Sequence, residues 1–221
     1  MPESVKPAAL AARGGADYFD RMTNRTPAAP PPPESGLLAE QIVHLARLVH
    51  GAGDTGLTPA QWTALRYFAR ANRLSRTPSA FSEFHATTRG TASQTVKSLI
   101  ALGLLERRTN EADGRSALIE ATQAGRAKLT RDPLADLAAC IDSLPGAQRE
   151  AMSGALAALA TQMARVRAAP VFGPCNGCNH CDTTQPGPAY CRCTQSLLDS
   201  GEMDALCADF SPRQQPAPLL R

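Results

Sequence analysis

Residues 76–126 contain an ordered series of signals that few folds can accommodate. Thr77-Pro78 combines a helix-capping residue with a proline at the first helical position. Thr88 is a second capping residue, and the proline-free stretch from Arg89 to Leu102 that follows it ends at Gly103, a residue suited to a helix C-terminus. This order predicts two short helices joined by a turn.

The second of these helices has two chemically different faces. At 100° per residue, one face gathers the apolar side chains of Ala92, Val96, Leu99 and Ile100. The opposite face carries short or polar residues, namely Gly90, Thr91, Gln94, Lys97 and Ser98. Such a face offers donors and acceptors and fits a DNA major groove about 12 Å wide. We therefore predict that this helix is a recognition helix.

Two short strands and a charged loop follow the second helix. The segments LLERR and SALIEA alternate enough to be strands, and TNEADG between them has turn chemistry, with Asp113-Gly114 as its strongest signal. Arg107, Arg108 and Arg115 surround this hairpin. Basic residues on a protruding loop suit contacts with phosphate or insertion into the minor groove.

The segments LTPAQWTALRYF, TTRGTASQTVKSLIALGLLERR, DGRS and IEATQAGR, in this order, resemble the MarR family of bacterial transcription regulators. The resemblance covers roughly residues 37–166, and its most specific parts are the DGR segment and the T-x-x-G start of the next helix. The chain departs from the family at Ala121-Thr122, where the family has Leu-Thr.

The resemblance implies a mainly α fold with a small β-wing, that is, a winged helix-turn-helix domain plus long dimerisation helices. It also implies a homodimer that binds a pseudo-palindromic operator in double-stranded DNA, usually as a repressor, with Arg115 in the minor groove. The predicted DNA-binding residues lie on the recognition helix and the wing: Thr88, Arg89, Gly90, Thr91, Ser93, Gln94, Lys97, Arg108, Asp113 and Arg115.

The positive charge is concentrated in the segment that carries these signals. The net charge is +3, and residues 35–170 hold 16 basic and 11 acidic side chains, whereas residues 171–221 hold 3 basic and 5 acidic ones. This distribution suits a body that contacts phosphate. We find no phosphate loop, nucleophile motif or His/carboxylate cluster, so we expect no enzyme and no catalytic residue.

The sequence predicts four consecutive parts. They are a proline-rich, disordered arm over residues 1–34, a winged-helix and dimerisation domain over 35–168, a Cys-rich metal-binding module over 169–213, and a flexible end over 214–221. No apolar run of about 18 residues and no basic-then-apolar N-terminus is present, so we expect a cytoplasmic protein without a membrane partner.

A heptad seam near the end of the second part predicts the dimer interface. Met152, Leu156, Leu159, Met163 and Val166 recur at 4-3-4-3 spacing. A single-chain core could use the same stripe, but a seam this narrow and rich in alanine more often packs against another long helix. We expect the first helix, residues 37–50, to join the interface.

Six of the seven cysteines fall within residues 175–207. The C-x-x-C spacing lets two thiolates reach one metal ion from a tight turn, and a reducing compartment favours metal ligation over disulfides. We predict Cys175, Cys178, Cys191 and Cys207 as ligands, with Cys207 closing a short helix, SLLDSGEMDAL. Cys181 and Cys193 are then spares or exchange ligands, and Cys140 is predicted as a small buried apolar residue.

The nature of the metal centre leaves two interpretations open. An iron–sulfur cluster, favoured by the excess of cysteines, would make the tail a redox or metal sensor, whereas zinc would staple a module that has almost no apolar core. The alternative function is a regulator that responds to a small aromatic effector and carries a purely structural zinc tail. A third interpretation has the winged helix bind protein instead of DNA.

Overall fold

The computed structural model describes residues 33–51, 56–109, 117–184 and 187–213. The helices are α1 (Pro33–Gly51), α2 (Pro59–Arg70), α3 (Pro78–Phe84), α4 (Arg89–Ala101), α5 (Gln123–Lys128), α6 (Leu134–Asp142) and α7 (Gly146–Arg167). The strands are β1 (Leu105–Thr109), β2 (Ala117–Ala121), β3 (Gly173–Pro174), β4 (Cys181–Asp182), β5 (Ala189–Cys191), β6 (Ser196–Leu198) and β7 (Leu206–Cys207). Helix α1 begins two residues before the predicted domain boundary.

Threonine side chains fix where four of the helices begin. Thr58, Thr77, Thr88 and Thr122 each accept a hydrogen bond from the backbone N–H three residues later. Such a cap satisfies one of the backbone donors that the first turn of a helix leaves without a partner. The capping prediction for α3 and α4 is therefore confirmed.

The core of the winged helix lies between α2, α3, α4 and the two wing strands. Its fully buried side chains are mainly aromatic or aliphatic and include Trp62, Leu65, Tyr67, Phe68, Phe81, Leu99, Leu105 and Ile119. Ala92, Val96 and Leu99 of α4 are buried, as the face analysis predicted, and Ile100 is half-buried against the same core. The apolar stripe thus holds α4 in place and leaves its other face in solvent.

The wing is an antiparallel pair of strands in which Leu105 lies opposite Ala121 and Thr109 opposite Ala117. Gly103, at φ +69°, turns the chain out of α4 and into β1. The packing is also close at Gly125 in α5, because a Cβ there would overlap the carbonyl oxygen of Leu104. The T-x-x-G motif therefore has a packing role, in which Thr122 caps α5 and Gly125 allows α5 to approach the end of α4.

Helices α1, α6 and α7 pack little against the rest of the described residues. No residue of α6 or α7 is buried, and Leu156, Leu159, Met163 and Val166 are each about half exposed or more. Helix α1 likewise exposes large apolar side chains, among them Leu37, Leu38, Ile42, Val43, Leu45 and Leu48. Cys140 is exposed, so its prediction as a buried residue is wrong for the single chain, because α6 has no packed face there.

The Cys-rich module is made of very short strands around a small second core. Strands β4, β5 and β6 form one antiparallel sheet, and β3 pairs with β7. The predicted helix before Cys207 is wrong: Ser196–Leu198 is a strand, and only Ser200–Glu202 forms a single 3-10 turn. Asp199 caps that turn. The residues on either side of the turn are strands because β6 pairs with β5 and β7 pairs with β3.

The module packs directly onto the winged helix. Phe172 contacts the rings of Tyr67 and Phe84, with centroids 6.4 and 5.2 Å away. Leu206 packs against the winged-helix core and forms a parallel bridge with Ala71. Across the part of the chain that the structure describes, no helix is long and apolar enough to cross a membrane.

Candidate functional site

The solvent face of α4 brings together most of the predicted DNA-binding residues. Thr88, Arg89, Gly90, Thr91, Gln94 and Lys97 are all exposed. The face is continuous because these positions lie opposite the buried Ala92, Val96 and Leu99. Two cationic side chains, Arg89 and Lys97, flank polar groups that are short enough to approach base edges.

Some hydroxyl groups on α4 and at its N-cap are hydrogen-bonded within the protein. The Oγ1 of Thr88 accepts the Thr91 N–H at 3.1 Å as the helix cap. Ser93 is half-buried, and the Ser98 hydroxyl accepts a hydrogen bond from the Gln61 side chain at 3.1 Å. Gln94 and Lys97 therefore remain the most accessible side chains in the middle of the face.

Arg108 on β1 is exposed but is bound to carboxylates of its own wing. Its guanidinium lies 2.8 Å from Glu106 and 3.1 Å from Glu120. The hydrogen bond and charge of Glu106, together with the charge of Glu120, raise the pKa of Arg108. A phosphate contact by Arg108 would compete with these two carboxylates. The predicted wing-tip residues Asp113 and Arg115 lie outside the described residues.

Five cysteines of the module lie together in its core. Cys175, Cys178, Cys181, Cys191 and Cys207 are buried beside Leu198, Met203 and Phe210, whereas Cys193 is exposed. All seven cysteines of the chain are free thiols. Cys181 lies opposite Cys191 in the β4–β5 pair. Cys181, which was predicted as a spare, is thus buried together with the four predicted ligands.

Hydrogen-bond donors are directed at several of these sulfur atoms. The Cys178 Sγ accepts backbone N–H groups of His180 and Ser211, each at 3.4 Å. Burial, together with the neighbouring Cys207, raises the pKa of Cys175 to about 11, although the side chain of Asn72 opposes the rise. Burial also raises the pKa of Cys207, opposed by hydrogen bonds from the Asp209 backbone, Asn72 and Ser75.

The donor set suits a metal that prefers thiolates, but the thiols are not arranged around one point. Within the ranges that the structure describes, no group of three or more His, Cys, Asp or Glu side chains is arranged to hold a metal ion. The predicted ligands Cys175, Cys178, Cys191 and Cys207 thus share a core without forming a closed ligand set. His180 is half-buried and is joined to Cys178 through its backbone N–H.

Asn72 and Ser75 are functional candidates that the sequence reasoning missed. Both are 1% exposed and lie in the turn between α2 and α3, and the Ser75 Oγ accepts the N–H of Ala208, the neighbour of Cys207, at 2.9 Å. No local pattern marks them, because Asn72 and its backbone partner Leu206 are far apart in the chain.

Comparisons with known proteins match part of this chain. A model of the MarR family matches residues 55–116. No curated protein matches the chain.

Solved structures with a similar chain path include regulators from several bacteria. A probable transcriptional regulator from Pseudomonas aeruginosa has 26% identity and a TM-score of 0.44, and the match covers 56% of this chain and 95% of that one. MepR of S. aureus, solved with DNA, has 18% identity and a TM-score of 0.47, with 57% and 96% covered. MarR of E. coli, in its apo form, has 20% identity and a TM-score of 0.45, with 59% and 98% covered.

At TM-scores below 0.5 these likenesses carry no assignment of function. The family match rests on the residues that form the helix-turn-helix, where the buried stripe and the polar face of α4 were found. Residues 55–116, which contain the helix-turn-helix and β1, therefore match the model of the MarR family.

Proposed function

We propose that this chain is a homodimeric repressor that reads a pseudo-palindromic operator by inserting α4 into the DNA major groove. The observation that carries the proposal is the division of α4 into a buried face and an exposed polar face. Gln94 has the two-pronged amide that can recognise an adenine edge, and Arg89 and Lys97 supply charge for phosphate or guanine.

The exposed apolar rows of α1 and α7 support the homodimer. Leu156, Leu159 and Met163 lie along one side of α7, and Leu38, Ile42 and Leu45 lie on α1. Apolar patches of this extent are uncommon on monomers and usually mark a protein interface. A two-fold dimer would present two recognition helices to half-sites about one helical turn apart.

Selection from a random pool of duplex DNA tests operator recognition with the full chain. We expect an inverted repeat whose half-site centres are separated by about 10 base pairs or a multiple of one turn. Recovery of unrelated sequences, bound no better than the starting pool, would contradict the proposal. Deleting the gene should then raise transcription from promoters that carry the selected site.

The second part of the proposal is a thiolate metal centre held by four of the five buried cysteines. The donor set supports it, because five free thiols are buried together and Cys178 accepts two backbone N–H groups. Bound zinc would supply a fixed structural link, whereas a bound iron–sulfur cluster would supply electron exchange. The surrounding donors would balance part of the negative charge on the thiolates.

Metal content and the visible spectrum of protein purified without air test this part. Iron with sulfide and broad absorption near 400 nm would support a cluster sensor, and one colourless zinc per chain would support a staple. Among the Cys→Ser variants of the five buried cysteines, the four that remove a ligand should bind less metal. Cys193→Ser and Cys140→Ser, at exposed positions, are the matched controls. Full metal content in all five buried-site variants would contradict the assignment.

An open groove between α1 and α2 supports a second candidate function, control by a small aromatic effector. The groove has a volume of about 570 Å³ and is lined by Ile42, Val43, Ala46, Arg47, His50 and Pro59. Arg47 could hold a carboxylate while the apolar residues contact a ring. Titration with benzoate tests this candidate, and binding that Arg47→Ala does not weaken would remove the groove as the site.

A further inference from the structure

Two of the five buried cysteines lie directly opposite each other in a sheet. Cys181 is in β4 and Cys191 is in β5, and the antiparallel register pairs these two residues. The Arg192 N–H donates to the His180 carbonyl at 2.9 Å, so the pair of residues next to them is hydrogen-bonded. Because hydrogen-bonded and non-hydrogen-bonded pairs alternate along an antiparallel ladder, Cys181 and Cys191 form a non-hydrogen-bonded pair.

A non-hydrogen-bonded pair brings its two side chains close together. The Cα atoms of such a pair are about 4.5 Å apart, and both side chains leave the sheet on the same face. A disulfide requires Cα atoms that are about 4.4–6.8 Å apart. The register therefore brings the thiols of Cys181 and Cys191 within reach of a disulfide while the two strands stay paired.

The face of the sheet that carries the two thiols is the buried one. Cys181, Cys191 and Leu198 of β6 share this face, and all three are buried in the same small core. Tyr190 and Leu197, which lie opposite each other on the other face, are exposed. The alternation of side chains along the strands thus directs both thiols into one confined space.

The other three buried cysteines are placed differently. Cys207 lies opposite Gly173 in the β3–β7 pair. Cys175 begins a single 3-10 turn, and Cys178 follows the end of that turn. Among the strand pairs that the structure describes, only the β4–β5 pair therefore sets two cysteines opposite each other.

We propose that Cys181 and Cys191 form a redox-active dithiol, which hydroperoxides oxidise to a disulfide. Both thiols are free in the structure. The site needs two thiols and no set of metal ligands, so it rests neither on the proposed metal centre nor on DNA binding. Strand β4 has two residues and β5 has three, and a pair this short opens locally at a low cost in free energy, which admits a small oxidant.

The oxidation takes two steps. In the first step, one sulfur attacks the O–O bond of the hydroperoxide and becomes a sulfenic acid, while the other oxygen leaves as an alcohol, or as water when the oxidant is hydrogen peroxide. In the second step, the facing thiol attacks the sulfenic sulfur, the S–S bond forms and water leaves. The two sulfurs together lose two electrons and two protons, and the hydroperoxide accepts them all.

Peptide mapping of the oxidised full-length protein tests the pairing directly. The reduced protein, kept with a chelator so that no metal protects the thiols, is treated with hydrogen peroxide, and the remaining thiols are alkylated in denaturant. Cleavage after arginine and before aspartate separates residues 168–181, which contain Cys175, Cys178 and Cys181, from residues 182–192, which contain Cys191. We expect one disulfide between Cys181 and Cys191 to join these two peptides. Two of the seven thiols should be lost to alkylation, and dithiothreitol should restore both.

Serine variants provide the matched controls. Cys181→Ser and Cys191→Ser should each abolish the link, whereas Cys193→Ser, at an exposed position, should leave it intact. The map of the natural sequence decides the pairing even if a serine variant does not fold. A link between Cys175 and Cys178, any other pairing, or alkylation of all seven cysteines after peroxide treatment would overturn the proposal. Failure to bind metal or operator would count against the proposed function and would leave this pairing unaffected.

Discussion

At the scale of single residues, Gly125 shows how an absent side chain fixes the wing. Its N–H bonds the Thr122 hydroxyl at 3.0 Å, and the same hydroxyl donates to the Gly103 carbonyl at 2.7 Å. A Cβ at Gly125 would meet the Leu104 carbonyl oxygen, which is backbone and cannot rotate away. The close contact between α5 and the end of α4 therefore depends on glycine.

Gly125→Ala should lower the free energy of unfolding by about 1–3 kcal/mol, the usual cost of inserting a group into a packed site. Urea denaturation of the full chain measures this change. Gly146→Ala is the matched control, because a Cβ there meets nothing within 4 Å. Equal stabilities of the two variants would show that α5 can move away from Leu104 without cost.

Gln94 is the residue that we expect to read bases. Gln94→Ala should reduce the preference for the selected operator over a site with one changed base pair by about 1–3 kcal/mol at that position, and should leave non-specific binding nearly unchanged. Competition binding with single-base operator variants measures the preference. A uniform loss on all sequences would mean that Gln94 contacts only phosphate.

At the scale of elements, an ion pair joins α2 of the winged helix to the start of α6. Arg66 on α2 donates to both carboxylate oxygens of Asp132 at 2.7 and 2.8 Å, and the Leu134 N–H at the start of α6 donates to the same carboxylate. Burial alone would raise the pKa of Asp132, but these hydrogen bonds and the Arg66 charge outweigh it and lower the pKa.

Asp132→Asn should lower the free energy of unfolding at neutral pH by about 1.5–3 kcal/mol, the usual contribution of hydrogen bonds to a charged group. A lowered folded-state pKa gives a contribution that is present above the unfolded value, about 3.9, and is lost as pH falls through the folded value. The two proteins should therefore converge in stability in acid. Urea titrations across pH measure this, and a constant difference would contradict it.

The elements that the sequence predicted correctly depend on local signals. Thr58, Thr77 and Thr88 cap helices within three residues of themselves, and the stripe of α4 repeats within its own length. The predicted helix before Cys207 failed because strand pairing with residues 173–174 and 189–191 decided that segment. The contact of Asn72 with Leu206 could not be predicted, since nothing near Asn72 in the chain indicates it.

At the scale of the whole molecule, two surfaces suit partners of different kinds. The polar face of α4 suits DNA, and the apolar rows on α1 and α7 suit a second copy of the chain. The Cys-rich module packs against the winged helix that carries α4, through Phe172 and Leu206. We expect the dimer to bring two such units together on one operator.

Leu159→Asp should convert the dimer to a monomer, because it would bury a charge without a partner in the α7 seam. Sedimentation velocity measures the oligomeric state. Ala157→Asp, exposed on another side of α7, is the control and should remain dimeric. A dimeric Leu159→Asp protein would remove the seam as the interface.

The salt dependence of operator binding by the full-length protein tests whether α4 reads DNA. Between about 50 and 200 mM salt, the logarithm of the binding constant should fall linearly, with a slope near −0.9 for each phosphate contacted. Lys97→Ala should reduce that slope by about one. Affinity that is independent of salt, or equal for the operator and unrelated duplex DNA, would contradict the assignment of α4 as a DNA-reading helix.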